Sequence, residues 1–293
     1  MPKREDGYLE SQGIRLHYVA EGEGPLVLLL HGFPEFWYSW RHQLPALAEA
    51  GFRAVALDQR GYNLSDKPAG LEAYRMPALM GDVSAAIAQF GNGKAAALIG
   101  HDWGAAVAWT TAAFMPHLME RLIILNLPHP AAMLGMRDNP AQLQKSWYVF
   151  MFQAPEVPEA WLSADDFRRL RLMAVGSARP GTFSNADLDR FQEAWSQPGA
   201  LTAAINWYRA NLTPRNLLLG EFQMPPVSVP TRILWGVRDA FLERSLGDQS
   251  QEFVAAPCTF IPIEDAGHWL QQEKPDVVTE QVLEFLRQNV GIT

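Results

Sequence analysis

An aspartate at the apex of a sharp strand-to-helix turn is the residue best placed to act as a nucleophile. The apolar run 95–99 precedes Gly100-His-Asp-Trp-Gly104, and a helical pattern of small residues follows. Glycines on both sides of Asp102 permit the strained backbone and close packing that such a turn needs. The spacing is that of a nucleophile elbow, with aspartate in place of serine. The other interpretation is that Asp102 only caps the helix that follows.

An aspartate nucleophile selects a different electrophile from a serine nucleophile. A serine that attacked saturated carbon would form an ether, which water does not readily cleave. A carboxylate forms an alkyl ester instead, and water can hydrolyse this ester at its carbonyl carbon. Asp102 therefore favours substrates with an electrophilic sp³ carbon and a leaving group, and it argues against ordinary ester or peptide hydrolysis.

Two later strands end in residues that could serve the second step. Asp239 and His268 each follow a buried strand, and the order nucleophile, acid, histidine is expected for a nucleophile elbow. His268 would be the base that activates water, oriented by Asp239. Glu264 and Asp265 are rival acids, but Asp239 is preferred because it follows its own strand. Five other histidines are expected to be surface residues: His17, His42, His101, His117 and His129.

The loop His31-Gly-Phe-Pro34 follows the strand at 25–30. A loop at this position donates one backbone N–H to an oxyanion hole. The two donors would be the amides of Phe33 and of Trp103, the residue after the nucleophile. An ordinary turn is the other interpretation of this short motif.

The nature of the leaving group is indicated by two tyrosines. A halide needs N–H donors but no proton, whereas an epoxide oxygen leaves as a basic alkoxide and needs an acid. A phenol, with a pKa of about 10, keeps its proton at neutral pH and can donate it to an alkoxide. Tyr148 and Tyr208 are the only tyrosines in the segment 130–222. Each could equally be a packed aromatic whose hydroxyl is satisfied locally.

A parallel sheet is needed to bring these residues together. Apolar runs alternate with helical patterns, which predicts a mostly parallel, doubly wound α/β sheet with ligands at the carboxyl ends of its strands. A strand pair over 8–24, with a turn at 21–24, precedes it. The later strands are predicted at 25–30, 52–57, 95–100, 121–125, 230–236 and 258–263, and helices at 37–48, 72–90, from 103, and at 275–288.

The alternation stops between residues 130 and 222, where helical spacing, several tryptophans and Pro and Gly breaks replace buried strands. This predicts a helical cap over the strand ends that excludes water and shapes a pocket. The predicted organisation is an α/β core over 1–129 and 223–293, with the cap at 130–222 inserted into it.

Composition excludes several partners. The net charge of −8 and the dispersed Lys and Arg residues argue against nucleic acid. The apolar runs are too short to cross a bilayer, and no apolar segment of a secretory signal follows the first residues. Cys258 is the single cysteine, which fits a reducing compartment, and the histidines lack the spacing of a metal site. We expect a cytoplasmic protein without metal or cofactor.

Several motifs together resemble those of the α/β-hydrolase-fold epoxide hydrolases, over nearly the whole chain. They are residues 31–41, 58–62, 100–104 and 265–268, and the segments around Tyr148 and Tyr208. The resemblance implies hydrolysis of an epoxide to a vicinal diol, with Asp102 as nucleophile, His268 as base, Asp239 as its orienting acid, and both tyrosines as activators of the epoxide oxygen. It also implies a cis peptide between Phe33 and Pro34.

Two dehalogenase families share parts of the pattern. Haloalkane dehalogenases share the Asp-Trp pair but usually carry a polar residue at the position of Phe33. Fluoroacetate dehalogenases typically have Arg where Trp103 stands and His where Ser146 stands. A haloalkane or haloacid dehalogenase is thus the alternative function, and a non-catalytic ligand-binding protein of this fold is the second.

Aromatic residues near the motifs favour a small hydrophobic epoxide, although any of them can also be core. The residues expected to contact it are Phe33, Trp103, Phe150, Trp207 and Trp269. The sequence does not determine the oligomeric state.

Overall fold

An eight-stranded sheet carries the predicted site residues at the carboxyl ends of its strands. The computed structural model describes residues 4–220 and 223–288. The strands are β1 Glu5–Ser11, β2 Ile14–Glu21, β3 Leu26–Leu30, β4 Arg53–Leu57, β5 Ala97–His101, β6 Leu122–Leu125, β7 Thr231–Gly236 and β8 Cys258–Ile263. Their order is β1-β2-β4-β3-β5-β6-β7-β8. The pairings of β1 with β2 and of β2 with β4 are antiparallel, and the others are parallel. The predicted mostly parallel sheet is confirmed.

The helices cover both faces of this sheet. They are α1 Gln43–Glu49, α2 Met76–Gly91, α3 Trp103–Phe114, α4 Pro130–Met133, α5 Pro140–Lys145, α6 Trp147–Met151, α7 Val157–Ser177, α8 Asn185–Trp195, α9 Ala200–Asn211, α10 Pro214–Leu219, α11 Arg244–Gln249, α12 Leu270–Glu273 and α13 Pro275–Arg287. In β3, Leu28 and Leu30 join the apolar cluster that includes α2 and α3, whereas Val27 and Leu29 join the cluster of α1 and α13. Successive side chains of a strand point to opposite faces, so a strand covered on both sides is apolar throughout.

Helices α4 to α10, hereafter the insertion, lie between β6 and β7. Two indoles bind the insertion to the loops of the core. Trp195 Nε1 donates to the carbonyl oxygen of Pro34 at 2.6 Å, and Trp207 Nε1 donates to that of Arg60 at 3.0 Å. The predicted end of the cap at residue 222 lies outside the described residues.

One turn was not predicted and one predicted helix is divided, each for a local reason. The turn that joins β1 to β2 is at Gln12-Gly13, with φ values of 52° and 80°, and the bend that follows Glu21 leads from β2 to β3. Glutamine is an uncommon residue in this left-handed region, so the sequence carried a weak signal there. The helix predicted over 72–90 is a short 3₁₀ turn, Leu71–Tyr74, followed by α2. Arg75 is extended between them, and Pro77 lies in the first turn of α2, where proline is favoured.

No helix in the described part of the chain is long and apolar enough to cross a membrane. The described residues also contain no group of three or more His, Cys, Asp or Glu side chains arranged to hold a metal ion.

Candidate active site

Asp102 occupies a strained turn between β5 and α3. Its φ of 49° and ψ of −121° lie outside the helical and strand regions, a conformation that persists only where the surrounding structure imposes it. Gly104 is required by close packing, because a Cβ there would stand 2.2 Å from the carbonyl oxygen of Leu30. The structure describes all of α3, and no N–H group of this helix donates a capping hydrogen bond to the Asp102 side chain. The interpretation that Asp102 only caps this helix is therefore wrong.

The carboxylate of Asp102 instead contacts the loop after β3. The amide of Phe33 donates to Asp102 Oδ1 at 2.8 Å. Gly32 leaves the necessary space, since a Cβ there would lie 2.4 Å from the Asp102 Cβ. Trp103 is the first residue of α3, a position whose N–H has no acceptor within a helix. The Phe33–Pro34 peptide bond is cis, as the resemblance implied.

His268 lies between the two predicted aspartates. Its Nδ1 is 2.8 Å from Asp239 Oδ2, and its Nε2 is 3.7 Å from Asp102 Oδ2. All three residues are buried, with at most 8% of their surface exposed. The rival acids Glu264 and Asp265 are exposed and pair with other cations. Asp239 is therefore the neighbouring acid that contacts His268.

Hydrogen-bond donors surround the Asp239 carboxylate. Asn126 Nδ2 donates to its Oδ2 at 2.7 Å, and the amides of Phe241 and Leu242 donate to its Oδ1 at 2.7 and 3.0 Å. Burial alone would raise the pKa of Asp239, but the His268 ring, Asn126 and the Phe241 amide outweigh burial and lower it. Asp239 is thus ionised at neutral pH and holds a proton on His268 Nδ1.

The pKa of His268 is raised to about 9. Burial lowers this pKa, but the charge and hydrogen bond of Asp239, and then the charges of Asp102 and Glu35, outweigh burial. His268 is therefore cationic at neutral pH, and the negative charge of Asp102 is one of the contributions that favour this form.

Two tyrosines of the insertion share the surroundings of Asp102. Tyr148 lies on α6 and Tyr208 on α9, with ring centroids 6.0 Å apart. Burial raises the pKa of both phenols above the ordinary value of 10, and the Asp102 carboxylate raises it further. Both hydroxyls therefore keep their protons at neutral pH and can donate them.

Two cavities meet at these residues, because Asp102, Tyr148 and Tyr208 line both of them. The narrow cavity, of about 110 Å³, is bounded mainly by Leu, Pro and Met side chains. The wide cavity, of about 500 Å³, is bounded largely by aromatic residues and includes His268. A substrate whose reacting carbon lies against Asp102 can place one substituent in each cavity.

The structure places three of the five predicted substrate contacts at these cavities. Phe33 and Trp269 line the wide cavity, and Trp103 lines the narrow one. Phe150 and Trp207 are not among the described residues that line either, so this part of the prediction is corrected. Phe150 lies two residues from Tyr148 and so points about 200° away around the helix. Trp207 is fully buried and its indole nitrogen donates to the carbonyl oxygen of Arg60.

A buried pair beside His268 was missed in the sequence. Glu35 Oε2 is 2.7 Å from His101 Nδ1, and His101 Nε2 is 2.8 Å from the carbonyl oxygen of His268. The prediction of a surface position is wrong for His101, and equally for His17 and His129, which are about 1% exposed. The available signal was the position of His101 at the end of a strand buried at every residue.

The fold defines the class of protein. An antiparallel first hairpin, a parallel sheet, a strained turn after β5 and a helical insertion after β6 are the features of an α/β hydrolase. A family model described as the alpha/beta hydrolase fold matches residues 25–275.

Comparison with known proteins narrows this class. The chain is 44% identical to the AB hydrolase superfamily protein YfhM of Bacillus subtilis, over 96% of this chain and 97% of that protein. It is 40% identical to epoxide hydrolase 4 of Mus musculus, over 96% of this chain and 78% of that protein. A solved structure of Bacillus megaterium epoxide hydrolase in complex with an inhibitor matches with a TM-score of 0.89 and 32% identity, covering 96% of this chain and 100% of that one. The chain belongs to the epoxide hydrolases of the α/β-hydrolase fold.

Proposed function

We propose that this protein hydrolyses epoxides to vicinal diols through a covalent ester on Asp102. The observation that carries the proposal is the convergence of one carboxylate and two protonated phenols at the junction of the two cavities. A carboxylate is a nucleophile for an epoxide carbon, and a phenol is an acid for the epoxide oxygen. The epoxide hydrolases among the relatives support the same substrate class.

In the first step, an Asp102 oxygen attacks one ring carbon. The Oδ1 atom is held by the Phe33 amide, so Oδ2, the oxygen nearer to His268, is the one free to attack. The carbon–oxygen bond of the ring breaks, and the epoxide oxygen takes a proton from Tyr148 or Tyr208. The products are an alkyl ester on Asp102 and a hydroxyl group on the adjacent carbon.

The second step depends on the charge that the first step removes. Esterification neutralises Asp102, so one of the charges that raise the pKa of His268 disappears. His268 returns its proton to the phenolate and becomes a neutral base. It then takes a proton from water, which attacks the ester carbonyl carbon, while Asp239 stabilises the resulting imidazolium.

The oxyanion of this second step forms on Asp102 itself. The amides of Phe33 and Trp103 would donate to it, and such donors stabilise charge as it develops in the transition state. Collapse of the tetrahedral intermediate breaks the bond between Cγ and Oδ2 of Asp102, and Oδ2 leaves on the substrate carbon. This oxygen takes the proton of the hydroxyl that water added, which releases the diol. The carboxylate that remains carries one oxygen atom from water.

Single turnover in ¹⁸O-labelled water tests this proposal. With enzyme in excess over styrene oxide, the label should enter Asp102 and be absent from the first diol, as measured by mass spectrometry of both. Label that entered this diol directly would exclude the ester. Asp102→Asn, which keeps the shape of the side chain, is the control and should incorporate no label by turnover. Halide release from short alkyl bromides without diol formation would indicate the dehalogenase alternative.

A further inference from the structure

Arg169 is the charged residue of the wide cavity that the proposed reaction does not use. The other charged or phenolic side chains there belong to that reaction, and the Ser177 hydroxyl has a partner for its proton and a donor to its oxygen. Among the described residues that line this cavity, Arg169 is thus the one cation outside the reaction. The remaining wall is mainly apolar, and it includes Trp161 and Leu172.

Most of the hydrogen-bonding capacity of Arg169 is unused. Its Nη1 donates to the carbonyl oxygen of Trp161 at 2.8 Å, and its guanidinium carbon lies 5.4 Å from the centroid of the Trp161 ring. A guanidinium has five N–H donors in a planar fork. The ion pairs found among residues 4–220 and 223–288 do not include Arg169. Its charge therefore has no carboxylate partner within that part of the chain.

A strained interruption of α7 positions this side chain. Asp165, Asp166 and Phe167 have left-handed φ values of 53°, 55° and 59° in succession. Asp tolerates this left-handed conformation better than most residues other than glycine, but for a bulky residue such as Phe167 it is exceptional. The hydrogen bond from Arg169 to Trp161 spans the interruption. Backbone strain of this kind concentrates at binding sites, where the surrounding contacts impose it.

We propose that Arg169 binds a carboxylate at the end of the substrate remote from the epoxide ring. Arg169 is then a specificity-determining residue, and the preferred substrates are amphipathic epoxides whose apolar chain lies in the wide cavity. The guanidinium fork matches the two oxygens of a carboxylate. Because the whole protein carries a net charge of −8, its field repels anions, and a local cation is needed to favour them. This inference rests on the proposed function.

The test compares ω-carboxyalkyl epoxides of increasing chain length, each with its own methyl ester. For the best chain length, we expect wild-type kcat/KM to be about tenfold higher for the acid than for the ester. Arg169→Leu should bring the acid-to-ester ratio to about one, and Arg169→Lys should keep part of the preference. Arg168→Leu is the matched control, because Arg168 is an exposed neighbour outside the cavity lining, and it should keep the wild-type ratio.

Turnover of styrene oxide, which has no anionic group, separates the possible failures. If the wild type hydrolyses styrene oxide but its acid-to-ester ratio is the same as that of Arg169→Leu, the inference is overturned. If the wild type hydrolyses no epoxide, the proposed function itself has failed. If Arg169→Leu loses styrene oxide turnover because its fold is disturbed, the wild-type protein alone still tests the inference. Its preference for the acid must decline as ionic strength rises, and a preference that salt does not change overturns the inference.

Discussion

Replacing Asp102 by asparagine should lower the pKa of His268. The substitution keeps the shape of the side chain but removes a negative charge that, together with the charge of Asp239, holds His268 in its protonated form. The same charge is lost when Asp102 becomes an ester in the proposed reaction. The pKa of His268 in Asp102→Asn therefore reports the strength of the base that would act in the second step.

The distance between the two groups sets the size of this effect. His268 Nε2 and Asp102 Oδ2 are 3.7 Å apart. Two unit charges about 4 Å apart attract by about 1 kcal/mol in bulk water and by about 4 kcal/mol at an effective dielectric constant of 20. Since about 1.4 kcal/mol corresponds to one pKa unit, the pKa should fall by about one to three. Starting from about 9, it should reach a value between about 6 and 8.

Nuclear magnetic resonance titration of histidine-labelled protein measures this pKa. The His268 signal is identified by its loss in His268→Gln. Asp265→Asn is the matched control, because Asp265 is close in sequence but exposed and paired with Lys274, and it should leave the His268 pKa unchanged. A His268 pKa that stays at about 9 or rises in Asp102→Asn would refute the coupling. It would also remove the reason for a neutral base in the second step.

Two further predictions concern the acids and the turn. Single Tyr148→Phe and Tyr208→Phe variants should slow ester formation by about 10²-fold each, and the double variant should nearly abolish it. Stopped-flow tryptophan fluorescence with styrene oxide measures this, and full activity in the double variant would show that other groups supply the proton. Gly104→Ala should destabilise the fold by about 3 kcal/mol or more, because its Cβ would overlap the Leu30 carbonyl. In urea unfolding, Gly176→Ala, with open space around it, should cause no such loss; equal midpoints would contradict the packing argument.

The sheet and the grouping of Asp102, Asp239 and His268 were predictable from the sequence. Each follows an apolar run, and the carboxyl ends of parallel strands lie at a common edge of the sheet. The order of the strands in the chain was therefore enough to expect these three side chains near each other. Their catalytic roles stay predictions that the proposed experiments test.

Errors arose where a local pattern had more than one spatial outcome. An aromatic residue in a short helix can face the cavity or the core, and the sequence does not distinguish Phe150 from Tyr148 until the axis of α6 is placed. The role of His101 depends on Glu35, which lies in the loop after β3, 66 residues away. The turn between β1 and β2 places Gln12 at a left-handed position, which the sequence pattern did not indicate.

By itself, the sequence predicted the class of reaction that we propose for this protein. An aspartate at the apex of an elbow favours attack on saturated carbon, a prediction that residue type alone supports. Only the tertiary structure decided that the elbow meets two cavities, that Arg169 is held beside one of them, and that His268 has a pKa of about 9. These properties depend on burial and on distances between groups far apart in the chain, because solvation and Coulomb interaction act through space rather than along the sequence.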